Sequence, residues 1–175
     1  FNGREHLERR RMLSAKDGDD FSKLLTREQL PWNIWRQGHA IVRPDGKPLP
    51  THELPGGMQL TLLSPVPDTL AQLAGQWDKE LAAPGKRRHL AARTLEMRDD
   101  LDAVVKNKFN PDDSKPNGSS IAVLLQFAGK TVLLGADAYA DVLASAIKQL
   151  LPAGQARLKL DAFKLPHHAS RGNLH

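Results

Sequence analysis

Asp137, His167 and His168 are the residues of this chain whose types and placing could do chemistry. A carboxylate supplies charge and an imidazole a neutral nitrogen, and together they suit zinc, manganese or iron. Asp137 comes just after an apolar run at 131–134, and the histidine pair just after another at 158–165. Short apolar runs bounded by turn residues read as buried strands. In an α/β sheet the strand ends converge on one edge, so ligands distant in sequence can face one cavity. Each residue also has a plainer reading: Asp137 as the N-cap of a following helix, the histidines as solvated loop.

The elements that must position these residues are most regular in the last third of the chain. Residues 121–127 read as a buried strand, 128–130 as a tight hairpin connection and 131–134 as the return strand. Val142, Leu143, Ile147, Leu150 and Leu151 recur at helical spacing over 140–151, and Pro152-Ala153-Gly154 ends that helix. A strand over 158–165 then leads into Pro166-His167-His168.

Upstream, Met58, Leu60 and Leu62 alternate with polar residues as a strand that Ser64-Pro65 ends. Asp68 is placed to cap a helix with Leu70, Leu73, Trp77 and Leu81 on one face. Nearer the start, the pattern predicts a polar helix or arm over 1–11, a turn over 16–19 and the beginning of a short helix over 21–25. It also predicts a short strand at 40–42 and turns at 44–47 and 54–57. Trp32 and Trp35 are expected to pack in a satellite cluster. A polar stretch at about 84–116, where Lys86-Arg87-Arg88 precede several acids, reads as an insertion within one domain.

With 175 residues, 40% hydrophobic and 26% charged, the chain is long enough for one folded domain with a sizeable core. It has no cysteine, which excludes disulfides, thiolate catalysis and Cys-based zinc sites. No apolar run approaches the roughly 20 residues of a spanning helix, so no membrane partner and a cytoplasmic location are expected. A formal charge of +5 and a pI near 9.6 lean toward anionic partners such as nucleic acid, or describe an ordinary basic surface.

Several of these segments together resemble a known family. They are Asn117-Gly118-Ser119-Ser120, the strand after it, Gly129-Lys130, the return strand with Gly135-Ala136-Asp137-Ala138, the helix, and Leu165-Pro166-His167-His168-Ala169-Ser170-Arg171-Gly172-Asn173. In this order they resemble the second half of metallo-β-lactamase-fold hydrolases, nearest the ComEC-like branch. Residues 54–77 resemble the connecting part of such domains, and 1–50 do so loosely.

The resemblance implies an α/β fold, the αββα sandwich, incomplete in this chain. It implies a two-metal site, with Zn2+ first and Mn2+ as the other choice. Asp137 matches the carboxylate that bridges the metals, and His167 the last metal ligand. His168 then stands beside it, as a ligand or facing substrate. Asn117, Ser170 and Arg171 are candidate substrate contacts; Ser170 and Arg171 also read as loop-closing residues, and Asn117 reads first as a turn residue before Gly118. Three departures from the family pattern are plain. The leading His-x-His-x-Asp-His motif occurs nowhere in the chain, Ala136 and Ala169 stand where the family carries glycine, and Asn117 stands where many members have histidine.

The expected function is therefore a metal-dependent hydrolase, foremost a phosphodiesterase or nuclease. It would act through a metal-activated water at Asp137 and His167. The missing ligands are expected from another segment or a complementing fragment that carries the leading motif. Two other classes stay open: a hydrolase of small esters, lactones or amides, and a catalytically degenerate domain that binds a partner or nucleic acid. His6, His39, His52 and His89 fall outside the matched motifs.

Overall fold

Ser14 opens the first helix. Its hydroxyl accepts the Asp17 amide at 3.2 Å while the Asp17 carboxylate accepts the Ser14 amide at 2.8 Å, a reciprocal capping box. Helix α1 therefore runs Ala15–Arg27, where a turn over 16–19 was expected. The cap and the i,i+4 pairs Lys16–Asp20 and Lys23–Asp19 outweigh the helix-weakening Gly18.

In the computed structural model, residues 14–46, 48–82 and 111–173 are described. They divide into two compact units, 14–39 with 75–82 and 40–74 with 111–173. The expected polar arm over 1–11 and the 84–110 part of the expected insertion lie outside the described residues. Trp32 is 46% exposed rather than packed in a cluster, and the Trp35 side chain lies outside the described set.

The second unit holds the sheet. Strand β1 (Thr51–Leu54) turns through 54–57 into β2 (Met58–Ser64), closed by the Gly57 amide on the Leu54 carbonyl at 3.0 Å. β2 pairs antiparallel with β3 (Ala122–Phe127), which pairs antiparallel with β4 (Lys130–Leu134). β5 (Ala162–Lys164) joins β4 in parallel, so the five strands lie in chain order. The architecture is an α/β fold on a mixed sheet.

Two strand expectations change. Residues 40–42 find no ladder partner and are held only nearby, by the Arg43 amide on the Pro65 carbonyl at 2.8 Å. Of 158–165, three residues pair, because Leu158 and Leu160 turn instead against the core.

Helix α2 (Pro67–Ala82) begins after Pro65, with Asp68 in its first turn rather than at its cap. A single short turn, α3 (Lys115–Gly118), precedes β3, and α4 (Ala140–Leu150) links β4 to β5. Residues paired across neighbouring strands share a face. Leu124 and Leu133, paired across β3 and β4, pack with Leu63, Ala122, Leu143 and Ala146 into the core under α4. A bulge at Leu62/Ser64 shifts the register of β2, and Leu62, Leu63 and Ser64 are all buried there. Among the described residues, no helix is long and apolar enough to cross a membrane.

Candidate functional site

Parallel pairing of β4 and β5 delivers their two following loops to one place. The Gly135 amide donates to the Lys164 carbonyl at 3.0 Å, and the His167 amide donates to the Ala136 carbonyl at 2.8 Å. Gly135 suits this approach, since a Cβ there would lie 3.0 Å from the Pro166 nitrogen and 3.1 Å from the Lys164 carbonyl, and the backbone would have to give by a few tenths of an ångström. The loops are sharply turned. Ala136 (φ 48°), His167 (φ 44°), His168 (φ 52°) and Ala169 (φ 63°) all adopt the left-handed conformation. For residues other than glycine this costs roughly 1–2 kcal/mol each, so the surrounding structure must hold them there.

Hydrogen bonds converging on Asp112 and Asn173 supply that hold. Asp112 Oδ1 accepts the Ser114 amide at 3.0 Å. Its Oδ2 accepts the amide groups of Asn117 at 2.8 Å and Asn173 at 3.1 Å, and lies 3.2 Å from His167 Nδ1. Asn173 is 2% exposed, and its Nδ2 also donates to the Ala138 carbonyl at 3.0 Å and the Asp137 carbonyl at 3.4 Å. Its Oδ1 faces His167 Nδ1 at 2.9 Å.

Burial pushes the Asp112 carboxyl up. The bonds from Asn117, Ser114 and Asn173 and the nearby His167 outweigh burial, and hold it below the ordinary carboxylate value. Tyr139 closes the other side: its hydroxyl donates to the Ser114 carbonyl at 3.0 Å. Its ring lies against Gly118, where a Cβ would come within 2.5 Å of the ring. Burial first, then Asp112, Asp113 and Asp141, raise the Tyr139 hydroxyl, so it stays protonated as a donor.

The residues singled out from sequence fall unevenly about this network. His167 is inside it and half-buried. His168 is exposed, its ring edge-on to His167 with centroids 6.5 Å apart. Asn117 reaches the network through Asp112 and stands 3.5 Å from His167 Nδ1. Asp137 is half-buried, and among the described residues its carboxylate makes no hydrogen bond. It does not cap α4, whose N-cap is Tyr139. Ser170 closes the histidine turn through its amide on the His167 carbonyl at 2.8 Å. Arg171 begins the last 3-10 turn, and its side chain lies outside the described residues.

Asp112, Tyr139 and Asn173 were not singled out. Asp112 sits in Asn110-Pro111-Asp112-Asp113, which has the composition of a surface turn, and nothing in one sequence separates a turn aspartate from a site aspartate. Asn173 closes the matched histidine segment and could have been found there.

The Asp137 carboxylate and the outer nitrogen of His167, neither hydrogen-bonded among the described residues, have the chemistry of two metal ligands. Among the described residues, no group of three His, Asp or Glu side chains is placed to hold a metal. A full ligand set therefore needs donors beyond the described residues. Beside the network is an open cavity of about 350 Å3, walled by Asp112, Asp113, Asp141, Tyr139 and Gln72. Against known proteins, no family model, curated protein or solved structure matches the chain.

Proposed function

We propose that the chain belongs to a metal-dependent hydrolase in which His167 and Asp137 are metal ligands. One observation carries the reading: His167 is anchored through Nδ1, and among the described residues Nε2 makes no hydrogen bond, in a loop tied to that of the Asp137 carboxylate, which makes none among them either. Metal-ligating histidines are held through their other nitrogen in this way. When bound, a divalent metal such as zinc or manganese supplies Lewis acidity and a nucleophile at neutral pH. The other ligands come, in this reading, from a segment carrying the His-x-His-x-Asp-His motif.

The finer fold we propose is the αββα sandwich. Its support is that β2, β3 and β4 are apolar on both faces. Leu60, Val123, Leu125, Val132 and Leu134 alternate with the residues under α4 and are partly exposed. Strands of this composition are normally covered on both sides.

Phosphodiesters are the first substrate class, on the positive balance of the chain. The acidic wall of the cavity favours a second reading, hydrolysis of a small neutral or cationic ester or amide, because three carboxylates repel a phosphate backbone. Assays of the purified protein together with the complementing segment and Zn2+ or Mn2+, on single-stranded DNA and on a panel of small esters, separate the two. Activity that Asp137→Ala abolishes supports the metal reading. Undiminished turnover by that variant would sink it.

A further inference from the structure

We propose that Asn173 and Asp112 act together as the positioning pair of His167: they hold the proton on Nδ1 and so present Nε2 as a free lone pair. The inference deepens the reading of His167 as a metal ligand and rests on it for its functional meaning, though not for its geometry.

The argument runs outward from the backbone. The Asn173 amide nitrogen faces three acceptors, the carbonyls of Ala138 at 3.0 Å and Asp137 at 3.4 Å and Asp112 Oδ2 at 3.1 Å. An amide oxygen placed there would meet only oxygens, so the orientation of Asn173 is determined by its partners. Its Oδ1 must then point at His167 Nδ1, 2.9 Å away. Asp112 Oδ2 is a second acceptor on the same nitrogen at 3.2 Å. Against these two oxygens stands one donor, the Asn117 amide, one of whose two hydrogens goes to Asp112 at 2.8 Å and whose nitrogen is the most distant of the three neighbours of Nδ1, at 3.5 Å. Nδ1 therefore carries the hydrogen, and in the neutral ring Nε2 carries the lone pair.

Asp112 is itself an anchor rather than a metal ligand. Its two oxygens already meet the Ser114 amide, two asparagine amides and the histidine ring, which occupies about four acceptor sites of a carboxylate. Asn173 reads the carbonyls of the Asp137 loop and passes that position to His167. The pair thus couples the placing of both proposed ligands.

The test uses the full chain labelled with 15N-histidine, with NMR at a pH where the ring is neutral. The wild type is expected to show His167 as the Nδ1–H tautomer. Asp112→Ala and Asn173→Ala each leave one acceptor and are expected to give a mixture of tautomers. The double substitution is expected to lose the preference, with dispersed amide signals from β3 and β4 confirming the fold. Wild-type His167 in the Nε2–H form overturns the proposal, whether or not any variant folds. So does a folded double variant that keeps the Nδ1–H form.

Zn2+ added to the wild-type sample tests the underlying reading separately. A shifted Nε2 resonance supports it. A resonance that stays unmoved on an Nδ1–H ring with the complementing segment also present removes the metal reading and leaves the positioning pair standing. Where zinc binds, each single substitution is expected to weaken it about 10–100-fold.

Discussion

Asp112 is where the hydrogen bonds of the site converge. Replacing it with alanine strands the Ser114 amide and the side-chain amides of Asn117 and Asn173 in a largely buried setting. Donors left unpaired in this way cost about 1–3 kcal/mol. Asp112→Ala is thus expected to lower the unfolding free energy by about 2–3 kcal/mol in urea titration. Asp112→Asn isolates the charge. The folded carboxyl lies below its ordinary value of 3.8, so its contribution is fully present above that pH. It is lost as pH falls through the lower, folded value. The stability gap between wild type and Asp112→Asn is expected to be widest above the ordinary carboxylate value and to close as pH falls through the lower, folded one; a gap that grows on acidification contradicts the network. Two alanines act the other way. Ala136 at φ 48° and Ala169 at φ 63° occupy conformations that glycine adopts without strain. Ala136→Gly and Ala169→Gly are each expected to stabilise by about 0.5–1 kcal/mol, the strain relieved less the added entropy of the unfolded chain. Both strained alanines thus sit in the loops that carry Asp137 and His167.

At the scale of elements, β5 is the hinge between fold and site. It pairs over three residues, all exposed, yet it sets the position of the histidine turn. Asp161 steadies its approach: its carboxylate accepts the Thr131 amide at 2.9 Å and meets Lys130 Nζ at 2.8 Å, while its own amide donates to the Thr131 carbonyl at 2.8 Å. The hydrogen bond from Lys130, then that from the Thr131 amide, hold the Asp161 carboxyl low. Because the side chain is at the surface, Asp161→Ala is expected to leave global stability nearly unchanged. It should speed amide exchange at Thr131 and along β5 selectively, and uniform loss of protection across β3 and β4 would refute this division of roles. The elements readable from sequence were those with one dominant signal. The hairpin of β3 and β4, helix α4 and strand β2 carry clean periodicity and Gly or Pro punctuation. The first turn of helix α1, at 16–19, was read as a turn because Gly18 between two aspartates resembles one, whereas Ser14 and Asp17 make the same acids a helix start. The 158–165 run shortened because apolar residues beside an edge strand can satisfy burial by packing on the core without pairing. For the site, the positions of Asp137 and His167 after β4 and β5 could be read, since strand ends are local features. The Asp112–Asn173–His167 network could not, since it joins segments that are neighbours only in the folded chain.

At the scale of the molecule, charge separates into two regions with opposite meaning. The positive excess comes from residues 1–13 and 83–110, where Arg9, Arg10, Arg11, Lys86, Arg87 and Arg88 stand, while Asp112, Asp113 and Asp141 wall the cavity beside His167. A nucleic acid would have to be attracted by the first region and tolerated by the second. Binding that neutralises backbone phosphates weakens with salt, by about 0.7 in log affinity per log salt for each single-strand phosphate contacted. If single-stranded DNA is the substrate, its KM should rise steeply between low and physiological salt. Changing Arg9, Arg10 and Arg11 to glutamine should flatten that dependence by about 2 in slope, three contacts at the same increment. The kcat should hold, because the arginines enter this reading as phosphate contacts and not as metal ligands or reacting groups. A small neutral ester gives the opposite signature, with a KM indifferent both to salt and to the arginine substitutions. Charge in the cavity then makes a second distinction. Asp113→Asn together with Asp141→Asn removes two of the three carboxylates while sparing the Asp112 network. That variant should tighten DNA and leave a neutral ester unaffected. It should loosen a cationic one, so a single pair of substitutions assigns the substrate class by the direction in which KM moves.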